Sequence, residues 1–319
     1  MKNESRIVVG VDIGGTKVAA GLVNAEGEIL SRTRTPMLTS GPPSRGLDAV
    51  SAAINGLFSE ASPRIPIAAI GICAPGPLDP KTGVIINPPN LPIWRDYPLA
   101  EEMRRVYNVP VRLDNDANAA ALAEMNWGAG RGYTNFFYAT VGTGIGTGII
   151  FNGRIFHGKT GAAGEGGHMG IDRNGPLCNC GKRGCIETLA AGPAIGRRAQ
   201  EKLEKNTNSV LWEMAGGDIQ NVSGEMVGRA LVLNDFVARE VMRETVVLLS
   251  YWLGNIIDLL EPEAIIVGGG VSSLLAPFLD DIRQGWHGAC VNPDPMSIPL
   301  LLADYGEDAG IAGAAALCE

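Results

Sequence analysis

Along this chain, runs of apolar and β-branched residues alternate with segments whose apolar positions recur at helical spacing, and glycine or proline punctuates the changes. The first firm element, "RIVVGVDIGGTKVAAGLVNAEGEILSRTRTP", is broken at Gly14-Gly15 and again at Gly27, which predicts a meander of three strands. "PMLTSGPPS" is a loop by composition, and "GLDAVSAAINGLFSEA" has the spacing of a helix. "IPIAAIGICAPGPLD" predicts a buried strand emptying into a Gly-Pro loop. "VPVRLDNDANAAALAEMNWGAG" predicts another strand, which turns at Asn115-Asp116 into an alanine-rich helix that stops at Gly128. Later, "TVVLLSYWLGNIIDLLEPEAIIV" predicts a buried helix followed by a strand, and "SSLLAPFLDDIRQGW" a further helix. Strands alternating with helices argue for an α/β fold.

The pattern begins again in the second half. "GTKVAAGLV" at 15–23 aligns without gaps on "GTGIGTGII" at 142–150, and "AAIGICAPGP" is echoed by "EAIIVGGGVS". Glycine-rich hairpins resemble one another by chance, but repetition in the same order favours duplication. Two related α/β lobes facing each other would leave a cleft with a Gly-Thr hairpin of each pointing into it. Glycines let backbone amides approach an anion, and Thr16 and Thr143 each add a hydroxyl donor, so the expected occupant is phosphate. Neither hairpin has the spacing of a Walker loop or of a dinucleotide-binding glycine turn. Asp12, at the end of the first strand, offers an oxygen partner for hydrated Mg²⁺; the competing reading is a turn carboxylate capping its own backbone.

Composition narrows the classes. The 319 residues are 45% hydrophobic, enough for one large domain or two medium ones. A net charge of -8 gives no general attraction to nucleic acid or to an anionic membrane, so small molecules and other proteins are the expected partners. "MKNESRIVVGV" is too short an apolar run for a secretory h-region, and no apolar span has the length of a membrane helix. The expected address is the cytoplasm, where clustered cysteines favour metal or redox chemistry over disulfides. Cys73, Cys290 and Cys318 stand apart in sequence and are expected to be small buried hydrophobes.

"DIGGTK" at 12–17, "DNDANAAALAE" at 114–124, "VGTGIGTGI" at 141–149, "EGGH" at 165–168, "CNCGKRGCIE" at 178–187 and "VGGGV" at 267–271 together resemble the ROK family of bacterial sugar kinases and repressors, in order over nearly the whole chain. The resemblance implies the actin-like, RNase H-like ATPase fold and ATP-dependent phosphorylation of a hexose. It implies a small lobe of residues 1–116 with 304–319, where "GEDAGIAGAAALC" returns to pack as a helix, and a large lobe of residues 117–303. ATP is expected at Asp12, Gly14, Gly15, Thr16 and Lys17, at Gly142, Thr143 and Gly144, and, for the nucleoside, at Gly268, Gly269 and Gly270. Sugar is expected at Gly76, Asn90, Asn115, Asp116, Glu165, His168 and Glu187, with Asp116 accepting the proton of the primary hydroxyl as it attacks the γ-phosphorus. Asp116 would equally serve as the N-cap of a helix beginning at Ala117, and capping does not exclude catalysis.

His168, Cys178, Cys180 and Cys185 supply one imidazole and three thiolates, which suits a closed, structural Zn²⁺ site. A Cys178–Cys180 bridge would be strained, whereas a redox pair or a Cys180–Cys185 disulfide is the competing reading. His168 would give one ring nitrogen to the metal and the other to the sugar. Glucose is the first acceptor, with N-acetylmannosamine, N-acetylglucosamine and fructose as rivals. Gly166 stands where kinases of this type often have a bulkier aliphatic, which loosens the substrate assignment; the intact cysteine motif disfavours polyphosphate-using relatives. The family's sugar-responsive repressors carry a winged-helix segment ahead of the sugar-binding part, for which the residues before the first strand leave no room. A zinc-stabilised sugar-binding module without turnover is the third class. Self-association as a homodimer or homotetramer is expected by resemblance.

Overall fold

The computed structural model describes residues 6–58 and 65–319. In chain order the elements are β1 (Val8–Ile13), β2 (Lys17–Val23), β3 (Ile29–Pro36), α1 (Pro43–Asn55), β4 (Ala69–Ala74), β5 (Leu78–Asp79), β6 (Val84–Ile85), α2 (Leu99–Tyr107), β7 (Val111–Asn115) and α3 (Asp116–Asn126). Next come β8 (Phe136–Val141), β9 (Ile145–Phe151), β10 (Arg154–Ile155), α4 (Ile186–Ala190), α5 (Gly192–Leu203), α6 (Val210–Met214), α7 (Gly224–Val232) and α8 (Phe236–Leu260). The chain ends with β11 (Ala264–Gly268), α9 (Ser272–Leu275), α10 (Leu279–Gly285), β12 (Leu300–Leu302) and α11 (Ala309–Ala316). The expected helix at 46–61 is seen as α1, which begins earlier, at Pro43, and ends at Asn55; residues 56–58 turn out of the helix, and 59–61 lie outside the described residues. The helix expected from Ser272 is split into α9 and α10 by a 3-10 turn at Ala276–Phe278, because Pro277 has no N–H to continue the ladder.

Two compact units result: residues 1–135, 148–164 and 303–319, and residues 136–147 and 165–302. In this division α3 and residues 148–164 group with the N-terminal segment, whereas the expected boundary lay after Asp116.

In the first unit β1 is flanked by antiparallel β2 on one side and parallel β4 on the other, giving the order β3-β2-β1-β4-β7. Strand alternation sends Val9, Val11, Ile13, Ile70, Ile72 and Leu113 to one face, where they bury against Val50 and Ile54 of α1 and Leu99 and Met103 of α2. Each such side chain contributes about 1.5–3 kcal/mol of burial. The opposite face, with Val8, Ala19 and Val23, meets Ile311 and Ala315 of α11. That contact is close: a Cβ on Gly71 would fall 1.7 Å from the Ala314 carbonyl oxygen, and one on Gly10 2.0 Å from that of Ile311.

The second sheet repeats the plan. Its order β10-β9-β8-β11-β12 has β11 parallel to both β8 and β12, so the two sheets share a hairpin followed by parallel strands, as the sequence echo predicts. Helix α8, capped by Asp235, which accepts from the Ala238 N–H, buries Leu249, Trp252, Leu253, Ile256 and Ile257. No described helix is long and apolar enough to cross a membrane.

Glu124, fully buried in α3, ties the returning C-terminal segment into the first unit. Its carboxylate accepts from the backbone N–H groups of Ala129 (2.8 Å), Asp304 (3.0 Å) and Tyr305 (3.2 Å). Glu124→Ala leaves these donors without an acceptor and is expected to cost about 3–5 kcal/mol, read as a lowered urea midpoint. An unchanged midpoint would show that water replaces the carboxylate.

Candidate active site

The first unit gathers its expected site residues at the C-terminal ends of β1, β4 and β7. The turn after β1 is closed by the Gly14 N–H donating to the Lys17 carbonyl at 2.8 Å, and leaves Thr16 and Lys17 exposed. Asn90 lies against this turn, since a Cβ on Gly15 would sit 3.1 Å from its carbonyl oxygen. Asp12 is held from below: the Cys73 thiol donates to Asp12 Oδ1 (3.6 Å), and Gly310 packs so closely that a Cβ there would be 2.5 Å from Oδ2. Burial raises the Asp12 carboxyl above its ordinary value, against the lowering effects of Cys73, Lys17 and Arg34. Cys73 is fully buried, as expected, whereas Cys290 and Cys318 are only half-buried; burial beside Asp12 pushes the Cys73 thiol well up.

At the end of β7 the chain turns directly into α3. Asn115 is the N-cap, with extended backbone (φ -67°, ψ 149°) and its side chain accepting from the Ala117 N–H at 2.9 Å. The helix therefore starts at Asp116, one residue earlier than the capping alternative assumed. Asp116 occupies the first helical position, is exposed, and accepts from the same Ala117 N–H at 2.8 Å. Gly76 faces Asn115: its notional Cβ would be 3.9 Å from Asn115 Nδ2.

In the second unit the Cys/His loop is folded by its own backbone. Ile171 N–H donates to Gly184 and Ile186 N–H to Met169, while Cys178 N–H reaches the Lys182 carbonyl at 2.8 Å. Gly184 is required there: at φ +62°, its Cβ would fall 1.7 Å from the Asp172 carbonyl oxygen. The result brings one donor atom each of His168, Cys178, Cys180 and Cys185 within 4.8 Å of one another. His168 turns Nδ1 toward Cys178 Sγ at 3.5 Å, and Cys180 and Cys185 Sγ atoms are 3.6 Å apart, too far for a disulfide. A tetrahedral ion with metal–sulfur bonds near 2.3 Å has edges of about 3.8 Å, so the cluster fits a four-coordinate cation. Hydrogen bonding to the Lys182 backbone lowers the Cys180 thiol, whereas burial pushes Cys185 up to about 12.

Glu187, in the first turn of α4, links this loop to the second Gly-Thr turn. Its Oε2 accepts from the Ile145 N–H at 2.9 Å, and it lies where a Cβ on Gly144 would sit, 2.5 Å away. Gly142 N–H closes the turn onto the Gly144 carbonyl, and Thr143 is exposed. Glu165 is exposed immediately before the 3-10 turn Gly166–His168. The unusual Gly166 has a local cause: it donates to Thr147 Oγ1 at 2.8 Å, and its Cβ would meet Thr147 and Phe137. Trp252 Nε1–H donates to the Gly166 carbonyl, so the bulk absent at Gly166 is supplied by its neighbours.

A cavity of about 930 Å³ opens beside Gly142, Thr143 and Gly270. Its other walls include two helix starts that sequence reasoning missed, Gly192 and Pro193 of α5 and Ser223 and Gly224 at α7, together with Leu274 and Pro277 from the segment expected as a helix after Ser272. The available signals were the Gly-Pro and Ser-Gly pairs, which mark helix N-termini but not ligands. Gly269 holds φ +88° with no room for a Cβ beside the Val141 carbonyl.

A family model described as ROK family matches residues 8–319. A glucokinase of Streptomyces coelicolor is 35% identical over 314 residues, covering 98% of this chain and 97% of its own. An N-acetylmannosamine kinase of Shigella flexneri is 32% identical over 313 residues, 98% of each. Among solved structures, a ROK family glucokinase from Streptomyces griseus in complex with glucose and AMPPNP superposes with a TM-score of 0.83 at 36% identity, covering 98% of both chains. The chain belongs to the ROK family, and its fold is the α/β, actin-like ATPase fold.

Gly144→Ala is expected to displace Glu187 from the Ile145 N–H and to cost about 1–3 kcal/mol in urea unfolding. A wild-type midpoint would mean that the Glu187 contact carries no stability.

Proposed function

We propose that this protein is an ATP-dependent hexose kinase that phosphorylates the 6-hydroxyl of glucose. The observation that carries the reading is the placement of Asp116: an exposed carboxylate on the first turn of α3, fixed by the Asn115 cap instead of serving as the cap itself. Such a group accepts the proton of the sugar primary hydroxyl as its oxygen attacks the γ-phosphorus, and ADP leaves. In this reading the sugar is oriented by Gly76, Asn90 and Asn115, and its hydroxyls are bound by Glu165, Glu187 and the second ring nitrogen of His168, Nε2. Carboxylates accept two or more hydroxyl protons in fixed directions and so discriminate epimers.

Gly14, Gly15, Thr16 and Lys17, with Gly142, Thr143 and Gly144, receive phosphate oxygens. Gly270 borders the 930 Å³ cavity that takes the nucleoside, and Gly268 and Gly269 lead the chain into it. Asp12 is the oxygen partner for hydrated Mg²⁺, which supplies charge neutralisation on the phosphates. His168, Cys178, Cys180 and Cys185 would hold structural Zn²⁺, which would brace the loop. Full-length relatives of both kinds exist, and the higher identity of those named as glucokinases, 35–36% in Streptomyces coelicolor and Halalkalibacterium halodurans against 32% for the Shigella flexneri N-acetylmannosamine kinase, supports glucose.

A coupled ADP-release screen over glucose, N-acetylmannosamine, N-acetylglucosamine, fructose and mannose tests the assignment; highest kcat/KM with glucose is expected, and ADP release with none of them would overturn it. Asp116→Asn is expected to retain glucose binding and lose at least about 100-fold in kcat. Near wild-type turnover would remove Asp116 from the chemistry. Removing the metal with a thiol-compatible chelator is expected to lower Tm and release one zinc per chain, with no zinc found by elemental analysis as the contrary result.

A further inference from the structure

We propose that His157, through Asp114, is a positioning residue for the turn that presents Asn115 and Asp116, and that this brace weakens as His157 loses its proton. The inference rests on the assignment of Asp116 as the reacting base. Asp114 is a buried carboxylate, 4% exposed, at the last-but-one position of β7. Its Oδ1 accepts from the Asn115 N–H at 2.7 Å and from Asn118 Nδ2 at 3.0 Å, one bond on each side of Asp116. Its Oδ2 meets His157 Nε2 at 2.6 Å. The carboxylate thus clamps the backbone entering α3 and the first turn of the helix, and His157 supplies the bond on its other oxygen. A buried carboxylate oxygen stripped of that partner must find another donor, and the rearrangement alters its hold on the turn.

The pair is open to solvent protons because both residues line a cavity of about 640 Å³, apart from the residues assigned to sugar and ATP. The charged groups facing it are Arg112 from β7, Arg154 from β10 and Glu319 from the C-terminal segment, with Lys81 acting on His157 from the loop after β5 and Cys73 of β4 close to Asp114. The hydrogen bond with Asp114 raises the imidazole above its ordinary value, opposed by burial and by Lys81. The charged pair is therefore complete below the ordinary histidine range and is lost as pH rises through the raised value. A neutral imidazole still donates, with a bond about half as strong, so the loss is partial.

The test compares wild type, His157→Gln and His157→Ala as full chains, reading kcat and KM for glucose from pH 5.5 to 9.5 and amide exchange across residues 111–118. Wild type is expected to lose about 2- to 5-fold in kcat on the alkaline side. His157→Gln should lack that alkaline limb, and His157→Ala should be about 10- to 100-fold slower at all pH values with faster exchange of the Asn115–Asn118 amides. Either variant retaining the wild-type alkaline limb would overturn the proposal, and His157→Gln decides it where His157→Ala does not fold. Should wild type phosphorylate no sugar, the kinase assignment fails instead. Amide exchange then judges the brace alone: wild-type protection of 115–118 in His157→Gln at pH 9 and loss in wild type support it, and equal protection in all three overturns it.

Discussion

The first unit depends on one close approach: α11 lies against β1 and β4 at backbone distance, with Gly10 and Gly71 facing the Ile311 and Ala314 carbonyls. The same helix meets α3 as tightly, because a Cβ on Gly313 would fall 2.5 Å from the Ala119 carbonyl carbon. Small residues make both contacts, Ala312, Ala314 and Ala315 being buried on α11 and Ala119, Ala120 and Ala123 on α3. Along these small residues the sheet, α11 and α3 are held at backbone distance, where little can give to absorb a shift. This packing has a chemical consequence: the ends of β1, β4 and β7 and the start of α3 come to rest together, and they carry Asp12, Gly76, Asn115 and Asp116.

The second unit solves a related problem by different means. The groups assigned to sugar and metal there sit on a glycine-rich loop and the first turn of α4, held by backbone bonds and by a cluster of one imidazole and three thiols. Glu187 makes the arrangement more than a local knot, since its bond to the Ile145 N–H ties the Cys/His loop to the second Gly-Thr turn. A residue assigned to sugar in the sequence therefore also positions the backbone assigned to phosphate.

Much of this was legible in the sequence because it is written in local pattern. Apolar, β-branched runs broken at Gly14-Gly15 and Gly27 marked the three-strand meander, and the echo of 15–23 at 142–150 corresponds to two sheets with the same strand order. The Cys/His cluster was readable because its four donors fall within eighteen positions, 168–185. Asn115 and Asp116 are both good capping residues, so composition does not choose between them; only the extended backbone at Asn115 does. The 930 Å³ cavity was only partly readable, because the starts of α5 and α7 look in sequence like ordinary helix N-termini. The His157–Asp114 bond joins residues 43 positions apart and follows no periodicity. Gly166 was legible as a departure but not as a compensated one, since Thr147, Phe137 and Trp252 reach it from elsewhere in the chain.

Phosphoryl transfer from ATP to one particular oxygen of one sugar is tested most directly by phosphorus and carbon NMR of the full chain incubated with Mg·ATP and ¹³C-labelled glucose. ADP and glucose 6-phosphate are expected to form one for one, with phosphorus coupling at the carbon that bears the 6-hydroxyl and its neighbour in the ring. ATP left intact, or phosphate appearing on any other hydroxyl, would contradict that chemistry.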